Sequence, residues 1–115
     1  GKSILYRANA VGDYVVFRLD VPAAGRYAIE ALAKMQSDRA LVQFAIGPSP
    51  TGPWTDVDTP KDEYRPSITF GSVGPFAQPA DVGAAGTWYL RLRVTGRNAA
   101  SSGYYLSADR ITLQS

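Results

Sequence analysis

Four carboxylates crowd one short stretch, Asp56, Asp58, Asp62 and Glu63 in "TDVDTPKDEYRPS". Glycosidases work with two such groups, an acid and a nucleophile or base, about 5–10 Å apart across a substrate cleft. Clustered carboxylates also suit hard cations, but the spacing here lacks the glycine and terminal glutamate of an EF-hand loop. A small domain with both carboxyls on one loop rarely builds a catalytic cleft, so the stretch reads as a solvated acidic turn.

The adjoining Tyr64 and Arg65 offer a different chemistry. A sugar presents C–H faces and fixed hydroxyls, and it is held by an aromatic platform flanked by planar donors and acceptors. Tyr64 can be the platform. Asn98, Arg65, Asp38, Arg39 and Arg97 are candidate polar partners, and Trp54 is a second aromatic candidate. Trp54 follows "PSPTGP", where an aromatic either caps the core edge or faces solvent; packing is the simpler reading. Asn98 serves equally as a ligand contact or as a turn residue in the left-handed region.

Other chemistries lose ground on composition. The chain has no histidine, which removes the usual general base near neutral pH and the middle member of serine and cysteine triads. It has no cysteine either, so disulfides and thiolate metal sites are absent. Twelve basic against ten acidic residues leave +2, too little for a nucleic-acid footprint. No run of eighteen apolar residues occurs, so no membrane-spanning helix is expected, and the opening "GKSILYRANA" lacks the apolar core and cleavage site of a signal peptide.

The elements that must position these residues show a period of two. In "YVVFRLDV", Val15, Phe17 and Leu19 are apolar while Arg18 and Asp20 are not, and in "TWYLRLRVTG" Trp88, Leu90, Leu92 and Val94 alternate with Arg91, Arg93 and Thr95. Trp88 and Tyr104 therefore read as core residues, while Arg91 and Arg93 read as outward pairs on the sheet. "ALVQFAIG" repeats the alternation, with "SILYRA" and "SITFGSVG" as shorter candidates. "RYAIEALAKM" contains helix-favouring alanines, but its alternation favours a strand. The proline-rich "GPSPTGPWTDVDTPKDEYRPS" predicts a long connection with at most a short strand near Trp54 to Val57. Near the end, inward parity switches from even (Tyr104, Leu106) to odd (Ile111, Leu113), which predicts a β-bulge at Ala108 and Asp109. Strands of this kind call for a sandwich or a barrel, and a single antiparallel β-sandwich over residues 1–115 is the reading adopted.

The segments "GDYVVFRLDVPAAGRYAIEALA", "DRALVQFAIG" and "GTWYLRLRVTGRNAASSGYYLSADRITL" together resemble the jelly-roll modules of the galactose-binding-like superfamily. They are close in style to family 6 and family 35 carbohydrate-binding modules and to accessory domains of secreted bacterial glycoside hydrolases. The resemblance implies a non-catalytic carbohydrate-binding module, monomeric in isolation and part of a larger secreted or cell-surface protein. Its partners would be a polysaccharide or glycan and the neighbouring domains. No cofactor is required. The resemblance adds a structural calcium with Asp109 as one ligand, although Gly1 to Asn9 supply no acidic partner. The alternative it leaves open is an accessory domain without a sugar ligand, which predicts an exposed apolar patch around Trp54, Phe70 and Phe76.

Strand counting decides which loops meet, because consecutive antiparallel strands place their connections alternately at the two ends of a sandwich. If Trp54 to Val57 forms a short strand, the loops Gln36–Arg39, Thr59–Pro66 and Gly96–Ser102 share one end. If it does not, Gln36–Arg39 falls at the other end. Either count brings Tyr64 and Arg65 toward Arg97 and Asn98.

Overall fold

The computed structural model describes residues 4–114. In chain order the strands are β1 (Ile4–Tyr6), β2 (Tyr14–Val21), β3 (Gly25–Met35), β4 (Leu41–Gly47), β5 (Thr55–Asp62), β6 (Thr69–Val73), β7 (Ala80–Val82), β8 (Gly86–Gly96), β9 (Leu106–Ala108) and β10 (Arg110–Gln114). No helix occurs among the described residues. Ser3, expected at the start of the first strand, lies outside them.

Two antiparallel sheets form the sandwich. One has the order β2-β8-β4-β5; the other has β10-β3-β6, with β7 pairing farther along β3 on its Gly25 end. A small β1-β9 pair completes the fold. In β3 the residues Tyr27, Ile29, Ala31, Ala33 and Met35 are all buried while Arg26, Ala28 and Glu30 are exposed. That strict alternation settles the strand-or-helix question, because burying one face of a sheet outweighs alanine's preference for helix. Facing this row across the core are Val42, Phe44 and Ile46 of β4 and Leu90, Leu92 and Val94 of β8. Phe44 also meets Phe76 edge-on, with ring centroids 5.0 Å apart. Trp88 and Tyr104 pack against the same core, as their parity predicts.

The parity switch near the C-terminus is also present. The ladder breaks at Asp109, whose N–H donates to the Leu32 carbonyl at 2.8 Å. Before the break β9 pairs with β1; after it β10 pairs with β3. The extra residue moves the chain from one partner to the other.

The proline-rich connection needs correction. β5 runs from Thr55 to Asp62, well beyond the short strand expected, and it contains Pro60. An edge strand tolerates a proline, and β5 is at the sheet edge. The β4–β5 register also shifts between Val42 and Phe44, so that residues 58–60 bulge out of the ladder, with Asp58 at a φ of 63°. The buried Gln43 amide repairs the bulge by donating to the carbonyls of Val57 and Asp58, at 3.3 and 3.0 Å. The Asp58 carboxylate accepts the N–H groups of Thr59 (2.7 Å), Ala77 and Gln78 (3.2 Å), and its Oδ2 lies 3.3 Å from the Lys61 ammonium. These donors, the Thr59 amide foremost, hold its carboxyl well below the usual carboxylate range.

Candidate functional site

With β5 formed, the first strand count applies, and three loops meet at one end of the sandwich. Backbone bonds join them directly. The Arg65 N–H donates to the Gln36 carbonyl (3.1 Å) and that of Glu63 to Ala40 (3.1 Å). From the last loop, Ser102 donates to Ser37 (2.9 Å) and Tyr105 to Asp38 (3.0 Å), while Ala40 donates to Tyr105 (2.9 Å). The Ser101 hydroxyl sits within reach of the carbonyls of Arg39 (2.7 Å), Gly103 (3.0 Å) and Ser37 (3.3 Å).

Asp62 links Tyr64 to Asn98. Its Oδ1 accepts the Tyr64 N–H at 2.8 Å, and its Oδ2 accepts from the Asn98 amide at 3.0 Å. The Asn98 Oδ1 in turn accepts the Ala100 N–H at 2.9 Å, so this residue does the turn chemistry and also ties its loop to the carboxylate. Arg65 donates through Nη1 to the backbone carbonyls of Tyr64 (2.6 Å) and Asp62 (3.2 Å), which fixes the guanidinium against the main chain there. Arg97 is exposed and its guanidinium carbon lies 4.9 Å from the centre of the Tyr104 ring. Tyr64, Arg65, Asn98 and Arg97 thus stand on one rim. Asp38, half-buried, pairs with the Arg39 guanidinium at its edge.

Two candidates do not stand on the rim surface. Arg39 is 1% exposed. Its Nε donates to the Ser107 hydroxyl (2.8 Å) and the Lys34 carbonyl (3.3 Å), and the Gln36 side-chain oxygen, in the amide orientation that satisfies both groups, accepts from Nη1 and Nη2 at 3.1 and 3.2 Å. This guanidinium braces the loops from inside. Trp54 lies at the opposite end: β4 runs from Leu41, beside Asp62 and Gly96, to Gly47, beside Tyr89. Six residue steps at ~3.3 Å put Trp54 roughly 20 Å from the rim. There it stacks on the guanidinium of Arg91, 5.1 Å from its ring, and seats against Gly47 and Gly52. Arg91 consequently lies on the outer face as the alternation suggests, but half-buried under the ring.

The carboxylate stretch departs most from expectation. Only Asp56 is a solvated charge; Asp58 staples the bulge, Asp62 ties the rim, and Glu63 is fully buried. Glu63 Oε1 accepts the Ser107 N–H at 2.7 Å, while Oε2 is buried with no partner among the described residues. Burial raises its carboxyl to about 8, against the opposing pull of the Ser107 N–H and the charges of Arg39 and Arg65; Asp62 adds to the rise. One signal could have located Glu63: inward parity counted from the buried Val57 reaches Lys61 and Glu63, both buried. With Asp62 hydrogen-bonded and Glu63 sealed inside, neither carboxylate faces a cleft. The rim groups left partly or fully exposed are Tyr64, Arg65, Asn98 and Arg97.

Asp109 stands apart, at the bend between β9 and β10. Its Oδ1 is buried without a partner, yet no group of three acidic side chains gathers around it among the described residues, and the cationic Arg110 follows. Calcium takes six to eight oxygens, so a cage at Asp109 would have to draw most of them from backbone carbonyls.

Comparison with known proteins adds a fold-level relative. No family model and no curated protein matches the chain. Among solved structures it is similar to a Paenibacillus xanthan lyase, with a TM-score of 0.75 and 25% identity, over 99% of this chain. The chain spans only 12% of the length of that lyase.

Proposed function

We propose that this domain is a non-catalytic carbohydrate-binding module that holds an attached enzyme on polysaccharide, outside the cell or at its surface. The observation that carries the reading is the Asp62 bridge. Asp62 reaches Asn98 across 36 residues of sequence and holds it and the Tyr64 backbone on one braced rim, with Arg65 and Arg97 beside them. A rim whose loops are already bonded to one another spends little binding energy on ordering, so a few shallow contacts suffice for modest affinity. The likeness to part of a xanthan lyase supports a place beside a polysaccharide-degrading enzyme.

The experiment is titration of the isolated domain with soluble xanthan, galactan, xylan, mannan and polyuronate, followed by amide chemical shifts of Tyr64 and Asn98. Saturable shifts at both support the reading. Flat titrations across the series would abandon it in favour of an accessory domain without a sugar ligand. That second reading draws support from the 69% exposed Phe70 and the 57% exposed Ile68, although Trp54 and Phe76 of its expected patch are both packed down.

A further inference from the structure

The outer face of the β10-β3-β6 sheet carries a notch just below the rim. Its cavity is about 370 Å³, lined by Leu32, Ala33, Phe70, Gly71, Asp109 and Arg110. The backbone explains the opening. Arg110 pairs with Leu32, but the preceding Asp109 bends out of the ladder, so β3 loses its β10 neighbour at the level of Ala33 and Lys34. A bulge of this kind both re-aims side chains and interrupts the sheet surface.

Phe70 stands over the notch from β6, where it pairs with Lys34. At 69% exposed it is the most solvent-accessible large apolar side chain among the described residues, and the Lys34 ammonium lies 5.9 Å from its ring centre. A phenylalanine held open on a rigid strand, with Lys34 and Arg110 as donors and Asp109 as an acceptor nearby, repeats the chemistry of the rim: a flat apolar face ringed by polar groups. The two places adjoin. Lys34 precedes Gln36 by two residues, and Gln36 forms a bridge with Tyr64. Two steps of ~3.3 Å put the level of Phe70 about 7 Å from that of Tyr64 along β3.

We propose that the notch is a second glycan subsite continuous with the rim, and that the domain takes an internal stretch of a polysaccharide chain, one sugar against Tyr64 and another against Phe70. This rests on the carbohydrate reading above and specifies its ligand as a chain, where a rim alone would suit a single terminal sugar.

The test compares the native domain with Phe70→Ala on whichever polymer of the series above the native domain binds, and on long and disaccharide fragments of it. Thermal unfolding of the variant checks that removing an exposed ring leaves the fold intact. The expected result is about a tenfold loss of affinity for polymer and long fragment, with the disaccharide within about twofold. Unchanged binding of the polymer by the variant would overturn the subsite and leave the rim reading standing, and equal losses on all lengths would overturn the two-point chain. A native domain that binds none of the polymers would remove the carbohydrate reading and the subsite together.

Discussion

Glu63 couples the rim to pH, and the direction of that coupling can be worked through. In the unfolded chain its carboxyl titrates near the ordinary glutamate value of 4.5; in the folded domain burial raises it to about 8. The folded state therefore holds the proton more tightly. Its contribution to stability is fully present below about 4.5, declines as the pH rises, and is gone above about 8. Within that window one proton separates the two states, so stability falls by up to just over ~1 kcal/mol per pH unit. The Asp58 carboxyl moves the opposite way, but its effect is confined to pH below its unfolded value of 3.8 and leaves this window clear. Urea unfolding midpoints between pH 5 and 8 should therefore drop steadily in the native protein. Glu63→Gln keeps an acceptor for the Ser107 N–H and has no proton to lose, so its midpoints should be flat over the same range. An equal slope in the variant, or native stability that rises with pH because Arg39 and Arg65 hold the ionised form, would refute the reasoning.

Three further outcomes follow from the packing and the rim. Phe44→Ala removes a fully buried core ring that packs edge-on against Phe76; a loss of about 3–5 kcal/mol in urea or heat unfolding is expected. Asp62→Ala leaves the Tyr64 N–H and the Asn98 amide without their acceptor, which should cost about 1–3 kcal/mol in the same unfolding assay and abolish the shared response of Tyr64 and Asn98 to glycan. Trp54→Ala should lower stability, through lost packing on Arg91, while glycan affinity stays within about twofold in calorimetry, since the ring lies at the far end from the rim.

How far the fold and the rim were legible in the sequence depends on the range of the forces involved. Strand parity is local, so Tyr27 to Met35, Leu90 to Val94 and the switch at Asp109 could all be read from neighbouring residues. The β5 strand was hidden because each proline was weighed as a lost ladder donor, whereas Pro60 falls in a bulge at a sheet edge, where no partner strand asks for its N–H. The meeting of Tyr64 with Asn98 followed from counting strands. The fate of the charges did not follow from any local pattern. Arg39 is buried because Ser107, 68 residues away, and the Lys34 carbonyl accept hydrogen bonds from it, and Glu63 is buried because the Ser107 N–H donates to it across 44 residues. Such partners exist only once both sheets are in place.

The same long-range bonds bear on what the rim can do. Because Arg39, Glu63, Ser101 and Ser107 brace the three loops from beneath, the surface groups Tyr64, Arg65 and Arg97 need not be drawn together by a ligand; their relative positions are set by folding. Loss of a brace and loss of a surface group should then differ in kind. A brace variant such as Glu63→Ala would lower stability and disturb every rim amide even without glycan, whereas Tyr64→Ala would leave the free domain's spectrum and unfolding midpoint nearly intact and remove binding alone. If both variants weakened binding equally with no change in stability, the rim would be a loose collection of loops that the ligand itself assembles, and pre-ordering by the buried polar braces would have no part in recognition.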